Sequence, residues 1–269
     1  MISVNLGAAF AKSLFATLGF QGMAAYRIGF AALLLMLAWR PWRAPLLRAQ
    51  RLDLLGFGLA LGLMNLTIYS AFARIPIGIA VAIEVTGPLL VVLWNSRTLK
   101  DLALLVLAVG GLSLLSPAAL PGGAALDPLG VGFAVAAALC WALYIVFGKR
   151  VSALPNGQAV SYGMAVAAAL AVPLGIFHAG SRLLVPSHLL TGLLVAILSS
   201  LLPYSLEMTA LRRVPSRVFG MLVSASPAVA ALSGALVLGE SLTSKQWIAI
   251  LCVVSASALA AATARGSEE

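Results

Sequence analysis

PIGIAVAIEVTGPLLVVLWN, residues Pro76 to Asn95, is apolar over about the 20 residues that a helix needs to cross a bilayer, yet it holds an acid, Glu84, and a proline, Pro88, in its interior. A carboxylate at the centre of a span costs roughly 2.5 to 3.5 kcal/mol on insertion scales, and a chain that keeps one turns it toward a water-filled cavity or a partner. The segment therefore reads as one wall of a polar pathway.

The stretch is also half of a repeat. AFARIPIGIAVAIEVTGP from Ala71 and ALRRVPSRVFGMLVSASP from Ala210 both place an arginine three residues on, a proline five on and a second proline seventeen on, at a constant offset of 139 residues. Pro76 corresponds to Pro215, and Pro88 to Pro227. A gapless internal match of this kind is the mark of a duplicated membrane unit.

Composition agrees. Hydrophobic residues make up 62% of the chain and charged residues 9%, against roughly a quarter charged in soluble domains. The net charge of +9 is not gathered on a soluble module of the kind that binds nucleic acid; the basic residues lie between apolar runs. Cys140 and Cys252 each sit inside an apolar run, where a thiol packs as a small hydrophobe. His178 and His188 have no carboxylate or cysteine near them in the metal-ligand spacings. No P-loop, no nucleophile with its base and no HExxH is present. Neither an enzyme nor a cofactor is expected.

The expected fold is all-α, a polytopic membrane protein of ten transmembrane helices arranged as two inverted five-helix repeats. The spans run 2–18, 21–39, 52–72, 76–95 and 102–116 in the first half, then 129–148, 158–177, 189–208, 216–238 and 243–263. The first is short and interrupted by Asn5 and Lys12, so the natural N-terminus is expected to extend further. Gly58 with Gly62, and Gly110 with Gly111, are expected to let neighbouring helices approach. A Pro/Gly-rich linker, residues 118–127, joins a first repeat over 1–117 to a second over 128–269, and Asp127 is expected to cap the helix that begins beside Pro128.

Five spans per half is an odd number, so the second copy enters the membrane from the opposite side. With both termini cytoplasmic, the cytoplasmic loops hold twelve of the seventeen Lys and Arg residues and the outer loops three, Arg74, Arg182 and Lys245; Lys12 and Arg27 lie within spans. That is the asymmetry of the positive-inside rule.

At 1.5 Å of rise per residue, Lys12 should lie about 10 Å below the outer surface, Arg27 about 9 Å and Glu84 about 12 Å, with Asn65 at a similar depth and Tyr69 above it. Such a set can line a cavity for a zwitterion: Lys12 or Arg27 for a carboxylate, Glu84 for an ammonium or as a proton carrier. The plainer alternative is that Lys12 or Arg27 pairs with Glu84 to hold helices together, while the other cation snorkels to the headgroups. A second polar group, Trp141 and Tyr144 with Tyr204 and Glu207, faces the other mouth; an aromatic belt or core packing is the alternative for the aromatics, and capping of loop arginines such as Arg212 for Glu207. Pro88 and Pro227 are candidate hinges or static kinks.

GAAFAKSLF from Gly7, MNLTIYSAF from Met64, RIPIGIAVAIEVTGPL from Arg74, CWALYIVFGKR from Cys140, LPYSLEMTAL from Leu202 and LGESLT from Leu238 together resemble the drug/metabolite transporter superfamily, its EamA-type ten-span exporters, and within these the bacterial threonine/homoserine exporter group. The resemblance implies an exporter of amino acids, the aromatic ones included in some relatives, that lies in the bacterial inner membrane as a monomer. Its substrate is a small amino acid, moved with or without protons, and its cavity is expected to be faced by Lys12, Asn65, Tyr69, Glu84, Tyr144, Tyr204 and Glu207. Export of drugs or other metabolites, a lipid-handling enzyme and a passive channel are the rival readings.

Overall fold

The computed structural model describes residues 2–43, 48–96, 99–114, 126–152, 154, 157–203 and 222–263. Among them the chain is helical and no strand occurs: α1 Ile2–Ser13, α2 Phe15–Trp39, α3 Arg48–Phe72, α4 Ile77–Glu84, α5 Thr86–Ser96, α6 Leu99–Ser113, α7 Pro128–Val151, α8 Gln158–Ala179, α9 Pro186–Ala196, α10 Ser226–Leu238 and α11 Ser244–Thr263. Five helical stretches, Phe15–Trp39, Gln50–Phe72, Pro128–Val151, Gln158–Leu184 and Ser244–Ala262, are long and apolar enough to cross a membrane, and Ile77–Val91, Leu102–Ser113, Pro186–Leu201 and Ser226–Leu238 are shorter apolar helices. The boundary between the proposed halves and most of the linker fall outside the described residues, as do Tyr204 and Glu207.

Local chemistry explains several ends. Pro128 opens α7, where its missing N–H costs nothing, and the Asp127 carboxylate accepts from the Leu129 amide at 2.9 Å, the cap the sequence led us to expect. α10 stops at Gly239, whose φ of 67° lets its amide turn back to Gly234 and Ala235 carbonyls. Thr243 and Gln246 then form a reciprocal capping box for α11, with Thr243 N donating to Gln246 Oε1 at 2.8 Å and Gln246 N to Thr243 Oγ1 at 3.3 Å. Inside α2 the helical path is interrupted at Gly19, with φ 69° and ψ 164°, a conformation open essentially to glycine alone.

The interior is built of small side chains. Ala9, Ala24, Ala31, Ala80, Ala134 and Ala167 are fully buried, while large apolar residues face outward: Leu236 is 83% exposed and Phe177 85%. In water such a surface would aggregate; in hydrocarbon it is solvated, and small residues let helix backbones meet. A Cβ on Gly87 would lie 2.2 Å from the Ala138 carbonyl oxygen, and one on Gly111 2.4 Å from Cys252 Cβ. Gly58 and Gly62 likewise abut Val166 and Ala167. Gly110 does not follow this pattern: nothing stands within 4 Å of a Cβ there, because it turns away from the α11 contact that Gly111 makes.

α2 lies along α8, α3 against α7 and α8, α6 against α11, and α4 against α10 and α7; α1 meets α10 and the π-helical turn Ile197–Leu201 that follows α9. Two of the shorter segments are broken near their prolines, the fourth span at Val85 between α4 and α5, and the ninth at Ala225 just before α10.

Candidate functional site

Glu84 is the last residue of α4 and is buried. Its carboxylate makes no hydrogen bond or ion pair among the described residues. Its charge interacts instead through space with Arg27 of α2 and with the Cys140 thiol of α7. An unpaired acid so placed is poised to take a cation or a proton.

Arg27 does not snorkel outward. Its guanidinium carbon lies 5.3 Å from the centroid of the Tyr69 ring, its Nε donates to Ser200 Oγ at 3.3 Å and a terminal nitrogen to the Ser199 carbonyl at 3.3 Å. Ser199 and Ser200 are in the π-helical turn, where the wider winding disturbs the regular carbonyl-to-amide ladder and presents main-chain oxygen to side chains. Tyr69 is completely buried between Phe15 and Phe72, and its hydroxyl has no hydrogen-bond partner among the described residues. A buried hydroxyl in that condition is costly unless something else supplies the partner.

One turn earlier on α3, Asn65 is buried but turns its amide back to the Leu61 carbonyl at 2.8 Å. On α7, Tyr144 stacks on Phe57 with ring centroids 4.7 Å apart, and Trp141 is half-buried against the main core. Arg27, Tyr69 and Glu84 are thus drawn into one neighbourhood, with Cys140 at its α7 edge.

Lys12 stands elsewhere, contrary to the expectation of a common depth. Its ammonium is 2.6 Å from Glu240 Oε1 and donates to the Ile75 carbonyl at 3.0 Å, just ahead of α4. Glu84 lies at the opposite end of that eight-residue helix, about 12 Å further along at 1.5 Å per residue. A rise of 1.5 Å per residue locates the Cα of Lys12 on a straight span, whereas α1 ends at Ser13 and the long side chain carries the ammonium to the Ile75 carbonyl. Nor does Lys12 pair with Glu84; its acid is Glu240, which also accepts from the Ile77 amide through Oε2 at 3.0 Å.

Glu240, Ser199, Ser200 and the part-buried pair Asn5–Ser226 (3.2 Å) were not among the candidates. Serines inside spans carry no distinctive signal. Glu240 has one: it sits in LGESLT, an acid in the short turn between two apolar runs. Among the described residues no cluster of His, Cys, Asp and Glu has the makings of a metal site.

The EamA-like transporter family profile matches residues 128–262. The threonine/homoserine exporter RhtA of Salmonella typhimurium is 45% identical over 257 residues, covering 96% of this chain and 87% of that protein. The exporter of the same name from Escherichia coli K12 is 44% identical over the same share of both. A solved crystal structure aligns with 96% of this chain and 94% of its own at a TM-score of 0.58 and 21% identity, a likeness of fold.

Proposed function

The chain belongs to the EamA-like transporter family, and from that premise we propose that it is a secondary transporter exporting amino acids, threonine and homoserine foremost, across the bacterial inner membrane by alternating access. The observation that carries the substrate class is the 45% identity, over 96% of this chain, to a threonine/homoserine exporter. The Arg27, Tyr69 and Glu84 neighbourhood suits that cargo: a guanidinium for its carboxylate, an acid for its ammonium or for a coupled proton, and an unpaired phenol for a hydrogen bond.

In this reading the ten spans form two inverted five-helix halves, 1–117 and 128–269, in a monomer with both ends in the cytoplasm. The helix contacts support it. Numbering the spans in order, the neighbours two and seven, four and nine, and five and ten are each their own counterparts when the halves are exchanged, while three with six becomes eight with one, and one with nine becomes six with four; all of these pairs are in contact. The breaks at Val85 and Ala225 fall 140 residues apart, beside Pro88 and Pro227 and within one residue of the repeat offset, and serve as the hinges of the rocking motion. Asn65, Trp141 and Tyr144 shape the side-chain pocket, and Tyr204 and Glu207 belong to the other mouth.

Counterflow in proteoliposomes across the twenty amino acids, with and without an imposed pH difference, tests the reading. Exchange of threonine and homoserine is the expected result. Failure of every amino acid, with efflux of an unrelated drug, would favour the rival exporter of other metabolites; downhill flux alone would favour a channel.

A further inference from the structure

Where Lys12 meets Glu240, the protein has built a receptor for a carboxylate and filled it with its own. Each oxygen of Glu240 has a separate donor: Oε1 takes the Lys12 ammonium at 2.6 Å and Oε2 the Ile77 amide at 3.0 Å. That amide is the first of α4, and Pro76 ahead of it offers no capping side chain, so its acceptor comes from Glu240. Lys12 is fixed from behind by the Ile75 carbonyl at 3.0 Å. The slot has a glycine floor as well, since a Cβ on Gly234 would come within 2.4 Å of Oε2. Lys12 and the α4 amide belong to helices, whereas Glu240 rides on residues 239–243, a non-helical turn opened by the left-handed Gly239. The Glu240 amide bonds the Gly234 carbonyl at 3.2 Å, so its main chain stays with the end of α10 and only its carboxylate has to swing away from donors that α1 and α4 hold. The side chains of Lys12 and Glu240 are 20% and 14% exposed, within reach of a small solute.

We propose that the Lys12 ammonium and the Ile77 amide form an exit-side binding site for the α-carboxylate of the exported amino acid, and that Glu240 occupies this site as an intramolecular stand-in until the substrate's carboxylate displaces it. The displacement unties the turn between α10 and α11 from α1 and the start of α4, so departure of the cargo and parting of this end of the bundle are one event. The proposal rests on the amino-acid reading given above for its substrate, and adds the place and the competitor.

The two partners then have opposite effects, which a merely structural ion pair would not produce. Removing an internal competitor raises apparent affinity by the fraction of time the site was blocked; removing the cation abolishes the site. Binding of radiolabelled threonine, and of lactate as a carboxylate without an ammonium, is measured on purified protein in detergent. Glu240→Gln should tighten both by about tenfold, Lys12→Met should weaken both by more than about tenfold, and Lys12→Arg, which keeps the charge, should recover part of what Lys12→Met loses. Threonine amide should not compete. Equal shifts in the same direction for Glu240→Gln and Lys12→Met, effective competition by threonine amide, or no carboxylate binding to the wild type would overturn the proposal. Size-exclusion profiles and the Lys12→Arg variant separate loss of the site from loss of the fold. If lactate binds with these signs while proteoliposomes carry no amino acid, the functional reading falls and the carboxylate site stands.

Discussion

The guanidinium of Arg27 lies over the face of Tyr69, 5.3 Å from its centroid, while the hydroxyl of that same tyrosine is buried without a partner among the described residues. The ring is already engaged and the phenolic oxygen is not. Ring and hydroxyl therefore separate cleanly by substitution. Tyr69→Phe keeps the cation–π contact and deletes the unpaired group, so thermal stability in detergent should rise by about 1 kcal/mol. Transport should nevertheless fall, by roughly tenfold if the hydroxyl donates or accepts one hydrogen bond to cargo. A variant both less stable and fully active would contradict both halves of this expectation.

Arg27→Lys is not a conservative change at this position. The native side chain lies flat on an aromatic ring while two of its nitrogens reach Ser199 and Ser200. A lysine keeps the charge but supplies one compact ammonium in place of the planar fork. Export in vesicles should drop at least about tenfold in both Arg27→Lys and Arg27→Gln. Recovery of the wild-type rate by lysine would mean that charge alone matters.

Glu84→Gln preserves shape and removes the ionisable group at a buried site. Accumulation of threonine against a gradient should be lost, measured with and without an imposed pH difference. Counterflow that survives in this variant assigns Glu84 to proton movement, and counterflow that fails with it assigns Glu84 to the ammonium; export at the normal rate removes the acid from the mechanism.

Two glycine substitutions should differ in sign. Gly87→Ala drives a Cβ to 2.2 Å from the main-chain oxygen of Ala138, where neither backbone can yield cheaply; a loss of about 1 to 3 kcal/mol is expected. Gly110→Ala meets nothing within 4 Å inside α6, and should gain up to about 1 kcal/mol from helix propensity. Thermal melts of the two variants beside the wild type decide this.

Arg74 and Asp127 pair at 2.8 Å on the surface, and the arginine hydrogen bond, followed by the Leu129 amide, holds the Asp127 carboxyl below the usual carboxylate range. A depressed folded-state value means that the pair stabilises above the ordinary aspartate range and that this contribution fades as pH falls through the lower, folded value. Melting temperature should therefore decline on acidification more steeply in wild type than in Asp127→Asn. The group is exposed, so the difference should be small and should shrink further in high salt.

Much of this was legible from the chain because hydrocarbon leaves few options: helices, their approximate extents, the cap at Asp127 and the breaks near Pro88 and Pro227 all follow from local rules. The neighbourhood of Arg27, Tyr69 and Glu84 was legible too, since an ion inside an apolar run announces itself. Lys12 was misplaced because depth along a span locates a Cα, whereas a lysine head group travels with its side chain and settles where a carboxylate waits. Glu240 escaped notice because an acid in a turn looks like ordinary solvated surface; its partners lie 228 and 163 residues away along the chain. Ser199 and Ser200 became conspicuous only once the winding of their turn was known.

The single glycine at position 19 has a last consequence. With a φ of 69° and a ψ of 164°, it interrupts the helical path in one residue and, with the turn at Leu14, sets the course of the chain from Lys12 to Arg27. The carboxylate receptor carried by α1 and the guanidinium carried by α2 are thus linked through this short joint, so lengthening it by even one residue should put the two cations out of step.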